Sequence, residues 1–99
     1  MKHVHRIESE LQKEARAFLR QVRKKKLRFV LAESCTGGNT ASHLSAIPGV
    51  SESFCGSFVT YRNDSKSKWL GIPLQKIKQY NVVSPQIARL MALSALKKT

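Results

Sequence analysis

Between the apolar run Phe29-Val30-Leu31 and a helix expected over Asn39 to Ser45 lies the heptad Ala32-Glu33-Ser34-Cys35-Thr36-Gly37-Gly38. An apolar run, a glycine-bearing corner and a helix in that order form a strand-to-helix connection, the building unit of layered α/β domains. The corner carries a serine, a cysteine and a threonine, with two glycines that let the backbone approach a ligand closely. Backbone N–H groups left unpaired near such a corner attract anions and developing oxyanions. A hydroxyl nucleophile beside such donors is what acyl transfer requires.

Ninety-nine residues suffice for one small domain. The apolar fraction of 41% is in the range of folded proteins. No apolar run approaches the roughly 20 residues that span a bilayer. Met1-Lys2-His3-Val4-His5-Arg6 lacks the apolar core of a secretory signal, so a cytoplasmic location is expected. Eighteen Lys and Arg against six acids give a formal charge of +12. That excess suits nucleic acid, acidic membranes or phosphorylated small molecules without choosing among them. Lys13, Arg16, Arg20, Arg23, Lys24, Lys25, Lys26 and Arg28 crowd into one segment. A solvated helix face and a weak, nonspecific nucleic-acid site are both open readings of it.

Val4, Ile7, Leu11, Ala15, Phe18, Leu19 and Val22 recur at helical spacing, which predicts a first helix over residues 7–25 with one apolar stripe. The stripe, including Leu11, Phe18 and Val22, is expected to pack on the sheet or on a second subunit, leaving the basic face in water. Residues 27–32 read as a buried strand and residues 54–61 as a second. Ile47-Pro48-Gly49 is a turn. Asn63-Asp64 suits the cap of a short helix closed by Gly71, and Pro73 opens another that ends near Tyr80. Ser84-Pro85 starts a last helix with Ile87, Leu90, Met91, Ser94 and Ala95 on one face. The expected architecture is α/β, ordered α-β-α-β-α-α-α: a basic amphipathic helix over 1–26, then a motif-bearing α/β portion over 27–99. Two strands make a thin sheet for so many helices, which suggests the front part of a larger domain and favours self-association.

The two cysteines, Cys35 and Cys55, form no metal-binding pattern and read as free thiols. Cys55 is expected to be a small buried strand residue. Cys35 adjoins Ser34 and, as a thiol, is a competing nucleophile. His3, His5 and His43 read as incidental. Ser34 follows the first strand, Tyr61 ends the second, and Lys66 lies one turn into the next helix. Parallel strands would open both carboxyl ends onto one edge. There the three could serve as nucleophile, proton relay and general base, since lysine acts as a base where burial and nearby positive charge lower its pKa. They also suit plainer roles: a helix cap, a strand-end aromatic and a surface lysine.

Ala32-Glu33-Ser34-Cys35-Thr36-Gly37-Gly38 resembles the signature of the CinA C-terminal domain, the nicotinamide mononucleotide (NMN) deamidase family. Pro48-Gly49 with Ser51, Tyr61 with Asn63 and Lys66, Leu70-Gly71, Val83-Ser84, Ala88 and Met91-Ala92 extend the resemblance in order. It implies a three-layer α/β/α domain with a mixed, mainly parallel sheet, and hydrolysis of the NMN carboxamide to nicotinic acid mononucleotide and ammonia. It also implies Ser34, Tyr61 and Lys66 as the catalytic set, with Cys35, Thr36, Gly37, Gly38 and Asn63 around the substrate. No cofactor or metal is implied, and the expected partners are a pyridine mononucleotide and further copies of the chain. About half of the family domain, including a Thr-Gly-x-Ala-Gly-Pro-like stretch, has no counterpart here. Asn81 stands where the family carries glycine, a change asparagine tolerates by accepting left-handed conformations. Two other readings remain: a catalytically silent ligand-binding or oligomerising module, and a basic nucleic-acid-associated protein. A short-chain dehydrogenase is excluded, because the Tyr61–Lys66 spacing is one residue too long and no dinucleotide fingerprint follows the first strand.

Overall fold

The computed structural model describes Lys2–Thr99, with side chains described for Arg6 and from Ser9 onward. Val4, Ile7, His3 and His5 therefore fall outside the described side chains, and Met1 outside the described residues. The element order is α1 (Lys2–Lys24), β1 (Phe29–Glu33), α2 (Asn39–Ser45), a 3₁₀ turn (Val50–Glu52), β2 (Phe54–Val59), α3 (Asn63–Leu70), α4 (Leu74–Tyr80) and α5 (Pro85–Lys98). The fold is α/β, and its two strands pair side by side in parallel. By contact density the chain forms two compact units. One holds residues up to Phe29 together with Asn39–Gly56, and the other holds Val30–Gly38 with Ser57–Thr99.

In the first unit α1 packs on α2. Leu19, Val22, Leu44 and Ile47 are buried, as helical periodicity requires of the inner stripe. Phe18 meets Phe29 edge-on at 5.0 Å, and Phe29 stacks on Phe54 at 5.0 Å, so three aromatic rings tie α1 to the starts of the strands. Leu11, expected to pack, is exposed. At about 1.5 Å per residue α1 runs roughly 35 Å against about 10 Å for α2, so its early turns outreach their partner. Lys13, Arg16, Arg20 and Arg23 are exposed, on the face expected to stay in water. Arg23 also donates from Nη2 to the Pro48 carbonyl at 3.0 Å. Gly49 follows at φ 83°, where a Cβ would lie 2.5 Å from that same Nη2, so the turn needs glycine for its conformation, and a side chain there would also push the mobile end of Arg23 aside. Cys55 lies in β2 but is exposed, not buried. Strand alternation turns it to the face opposite Phe54, and that face is open at Cys55.

The second unit is built on α3, α4 and α5. Leu70, Ile72, Ile77, Ile87 and Met91 form its core, with Ala32, Phe58, Tyr80 and Leu90 packed against them. Ser84 caps α5 as expected, its Oγ accepting from the Ile87 N–H at 3.2 Å while donating to the Asn81 carbonyl at 2.8 Å. Gly71 closes α3, its N–H donating to Ser67 O at 2.8 Å. Asn63, however, is the first helical residue of α3, and Arg62 holds the cap position without a side-chain cap bond. Asp64 Oδ1 instead accepts from the Ser65 N–H and from Arg62 Nε. Asn81 has φ 69° and ψ 144°, positive but outside the left-handed helical region expected for it.

Candidate active site

β1 ends at Glu33, and the next four residues turn the chain. The Gly37 N–H donates to the Ser34 carbonyl at 3.1 Å, closing a tight turn around Cys35 and Thr36. Gly37 and Gly38 sit at φ 61° and 98°. A Cβ on Gly37 would meet nothing within 4 Å, and one on Gly38 would meet Val59 Cγ2 at an ordinary 3.6 Å. Backbone conformation, not close approach of neighbouring atoms, is what calls for glycine at both. Ser34 is half-buried, while Cys35, Thr36 and Gly37 are exposed. With the Gly37 N–H committed to Ser34, the N–H groups of Cys35, Thr36 and Gly38 are the corner's other candidate donors.

Glu33 organises this turn. Its side chain is 6% exposed, Oε1 accepts from Thr36 Oγ1 at 2.8 Å, and Oε2 accepts from Ser57 Oγ at 2.9 Å. Its carbonyl oxygen also accepts the Thr60 N–H at 2.9 Å, just beyond the end of β2. A buried carboxylate is tolerated when its oxygens are hydrogen-bonded in this way. The heptad pattern contains Glu33 but does not by itself reveal this role. The available signal was a lone carboxylate ending an apolar strand, with a hydroxyl residue three positions on.

Among the described residues Lys66 is the largest fully buried side chain, at 2% exposed. Its Nζ donates to the Tyr61 carbonyl at 3.1 Å, spanning the stretch between β2 and the first turn of α3. The Tyr61 ring is 72% exposed, so the contact with Lys66 runs through the backbone and not through the phenol. Among the described residues no hydrogen bond links the side chains of Ser34, Tyr61 and Lys66. Thr60, 1% exposed, has a hydroxyl without a partner. Asn63 is exposed at the start of α3, beside the Arg62–Asp64 ion pair at 2.9 Å. The hydrogen bond from Arg62 holds the Asp64 carboxyl below the usual carboxylate range and the guanidinium correspondingly higher. Among the described residues no three His, Cys, Asp or Glu side chains are grouped to hold a metal, and no helix is long and apolar enough to cross a membrane.

The turn and the buried lysine are thus held by one stretch of chain: Glu33 fixes the Ser34 turn to Ser57 and Thr60, and the next residue, Tyr61, holds Lys66. The sequence model of the CinA C-terminal domain matches residues 11–99, which include all of these positions. The chain belongs to the CinA C-terminal domain family. It is 47% identical over 75 residues to a putative competence-damage inducible protein of Caldicellulosiruptor bescii, covering 76% of this chain and 18% of that one. It is 49% identical over 67 residues to a CinA-like protein of Prochlorococcus marinus, covering 68% of this chain and 16% of the relative. Among solved CinA structures, a superfamily protein from Escherichia coli superposes with a TM-score of 0.85 at 31% identity, over 90% of this chain and 52% of that one. A competence/damage inducible protein from Agrobacterium tumefaciens gives 0.82 at 36% identity, over 89% and 53%. The chain therefore spans about half the length of these solved CinA proteins and under a fifth of these curated relatives.

Proposed function

We propose that the chain carries the reacting residues of an amidohydrolase that converts NMN to nicotinic acid mononucleotide and ammonia. The observation that supports this most is the burial of Lys66. An amine taken out of water is costly to the fold, and chemistry is one reason to keep it there. The Lys66 amine takes the proton from the Ser34 hydroxyl, directly or through the Tyr61 phenol. Ser34 Oγ attacks the carboxamide carbon, and the negative charge on its oxygen falls to N–H donors such as those of Thr36 and Gly38. Collapse of the adduct breaks the C–N bond, and the nitrogen leaves as ammonia with a proton returned from Lys66 or Tyr61. Water then attacks the ester on Ser34 and releases the acid. Arrival of the Tyr61 phenol and Lys66 at Ser34 would accompany substrate binding, since catalytic hydrogen bonds commonly tighten only then.

The test is ammonia release from NMN by the purified chain beside its Ser34→Ala variant. Turnover that disappears in the variant is expected, and a wild-type chain that releases no ammonia overturns the proposal. A second reading, a silent oligomerising module, draws on the exposure of Trp69, Val83 and Leu96 in the second unit. Apolar side chains left in water are commonly covered by a partner. A chain that self-associates, binds NMN and leaves it unchanged would favour that reading.

A further inference from the structure

Glu33 precedes the candidate nucleophile and is bonded on three sides within the second unit. Its two carboxylate oxygens accept from Thr36 Oγ1 at 2.8 Å and Ser57 Oγ at 2.9 Å, and its carbonyl accepts from the Thr60 N–H at 2.9 Å. Thr36 lies inside the turn that the Gly37 N–H closes onto the Ser34 carbonyl. The bond from Thr36 therefore closes a second ring across the same residues, with Ser34 and Cys35 between its ends. The bond from Ser57 anchors that ring to β2. We propose that Glu33 is a positioning residue: its buried carboxylate clamps the Ser34–Gly37 turn to β2 and so sets the direction of the Ser34 hydroxyl and of the Thr36 and Gly38 N–H donors. This rests on the reading of Ser34 as nucleophile.

The ionised carboxylate is suited to the task because both oxygens accept, and both neighbouring hydroxyls donate without reorienting. Glutamine offers one acceptor oxygen, and its NH₂ group only donates, so one of the two hydroxyls must turn round. A role confined to joining the strands would run through Ser57 alone. A role in positioning Ser34 must also run through Thr36, an exposed residue whose replacement is expected to leave the core packing intact. Small errors in aim at a reacting centre are costly in rate: a displacement of about 1 Å can lower it on the order of 10²-fold.

The experiment uses the whole chain and a fluorophosphonate probe, which labels an activated serine whether or not NMN is the substrate. Wild type is expected to be labelled at Ser34, as located by peptide mass spectrometry. Glu33→Gln and Thr36→Val should each slow labelling on the order of 10²-fold without a matching loss of thermal stability. The double variant should be no slower than Glu33→Gln alone, because both changes cut one tether. Ser57→Ala should slow labelling less than Thr36→Val. With NMN, Glu33→Gln should lower kcat far more than it changes KM, a split that general loosening of the fold would not produce. If Glu33→Gln does not fold, Thr36→Val decides alone. Labelling of Ser34 that is insensitive to Thr36→Val, or a wild type that is not labelled there, overturns the proposal. Labelling that is slowed as expected in a chain that releases no ammonia from NMN keeps the role of Glu33 and removes the NMN reading.

Discussion

The amine of Lys66 donates to the main-chain carbonyl of Tyr61 at 3.1 Å, while the Tyr61 ring stands 72% exposed. Backbone and side chain of one residue thus have separate roles, and substitution can separate them. Tyr61→Phe removes only the hydroxyl, so Lys66 keeps its acceptor and stability should stay within about 0.5 kcal/mol of wild type. Turnover of NMN should nevertheless fall if the phenol relays the proton. Lys66→Met retains most of the buried stem and should fold with a loss of no more than about 2 kcal/mol, yet be inactive. Lys66→Arg should be as inactive as Lys66→Ala, since arginine stays protonated. Denaturant titration with an ammonia assay checks each, and Lys66→Arg activity within a few-fold of wild type would remove Lys66 as the base.

Cys35 is exposed on the turn next to Ser34, and its thiol is the alternative to the serine in the proposed reaction. Cys35→Ser should leave substantial NMN hydrolysis, and an alkylating reagent that modifies Cys35 should slow turnover only by crowding the turn. Loss of activity in Cys35→Ser with retention in Ser34→Ala would reverse the assignment.

Asn81 combines φ 69° with ψ 144°, a region close to one that glycine alone adopts freely. Asn81→Gly should relieve strain of about 1–3 kcal/mol, partly offset by the greater freedom of glycine in the unfolded chain. The expected net gain is about 1 kcal/mol, or roughly 4–8 °C in Tm for a chain of this size. The Ser84 bond to the Asn81 carbonyl is main-chain at its acceptor end and survives the change. A thermal midpoint at or below that of wild type would show that the asparagine is not strained.

Gly49→Ala should be destabilising by about 2 kcal/mol, because it adds a left-handed backbone penalty and displaces the Arg23 guanidinium from Pro48. In an Arg23→Ala background the clash is gone, and the same substitution should cost only about 1 kcal/mol. Equal costs in the two backgrounds would mean that the arginine moves aside freely. The comparison is a double-mutant cycle read by chemical denaturation.

Elements whose signals are local were legible in the chain. Asn39–Ser45, the Ser84 cap with its Ile87-Met91-Ala95 face, and the Gly71 stop each depend on residues within a turn or two of one another. The cap of α3 was not legible because Asn63 and Asp64 are good capping residues, whereas the position falls to Arg62, which makes no side-chain cap bond. The exposure of Cys55 was not legible, because a strand pattern gives alternation without saying which face is covered. The Glu33 clamp was invisible for a different reason: Ser57 stands 24 positions away, and no periodicity joins them. The same holds for Tyr61, where spacing could suggest a partnership with Lys66 but not that it would run through a carbonyl.

Thr60 remains a conflict within an otherwise consistent stretch. Its strand-end position, its burial and its N–H bond to Glu33 all agree, while its hydroxyl is sealed from water without a partner. In energy-landscape terms it is a point of local frustration, where one group opposes the arrangement its neighbours favour. Valine would match its outline without an unpaired polar atom, so packing alone would not select threonine here. Thr60→Val is accordingly expected to firm the exit of β2, which carries the acceptor for Lys66, and to raise the thermal midpoint.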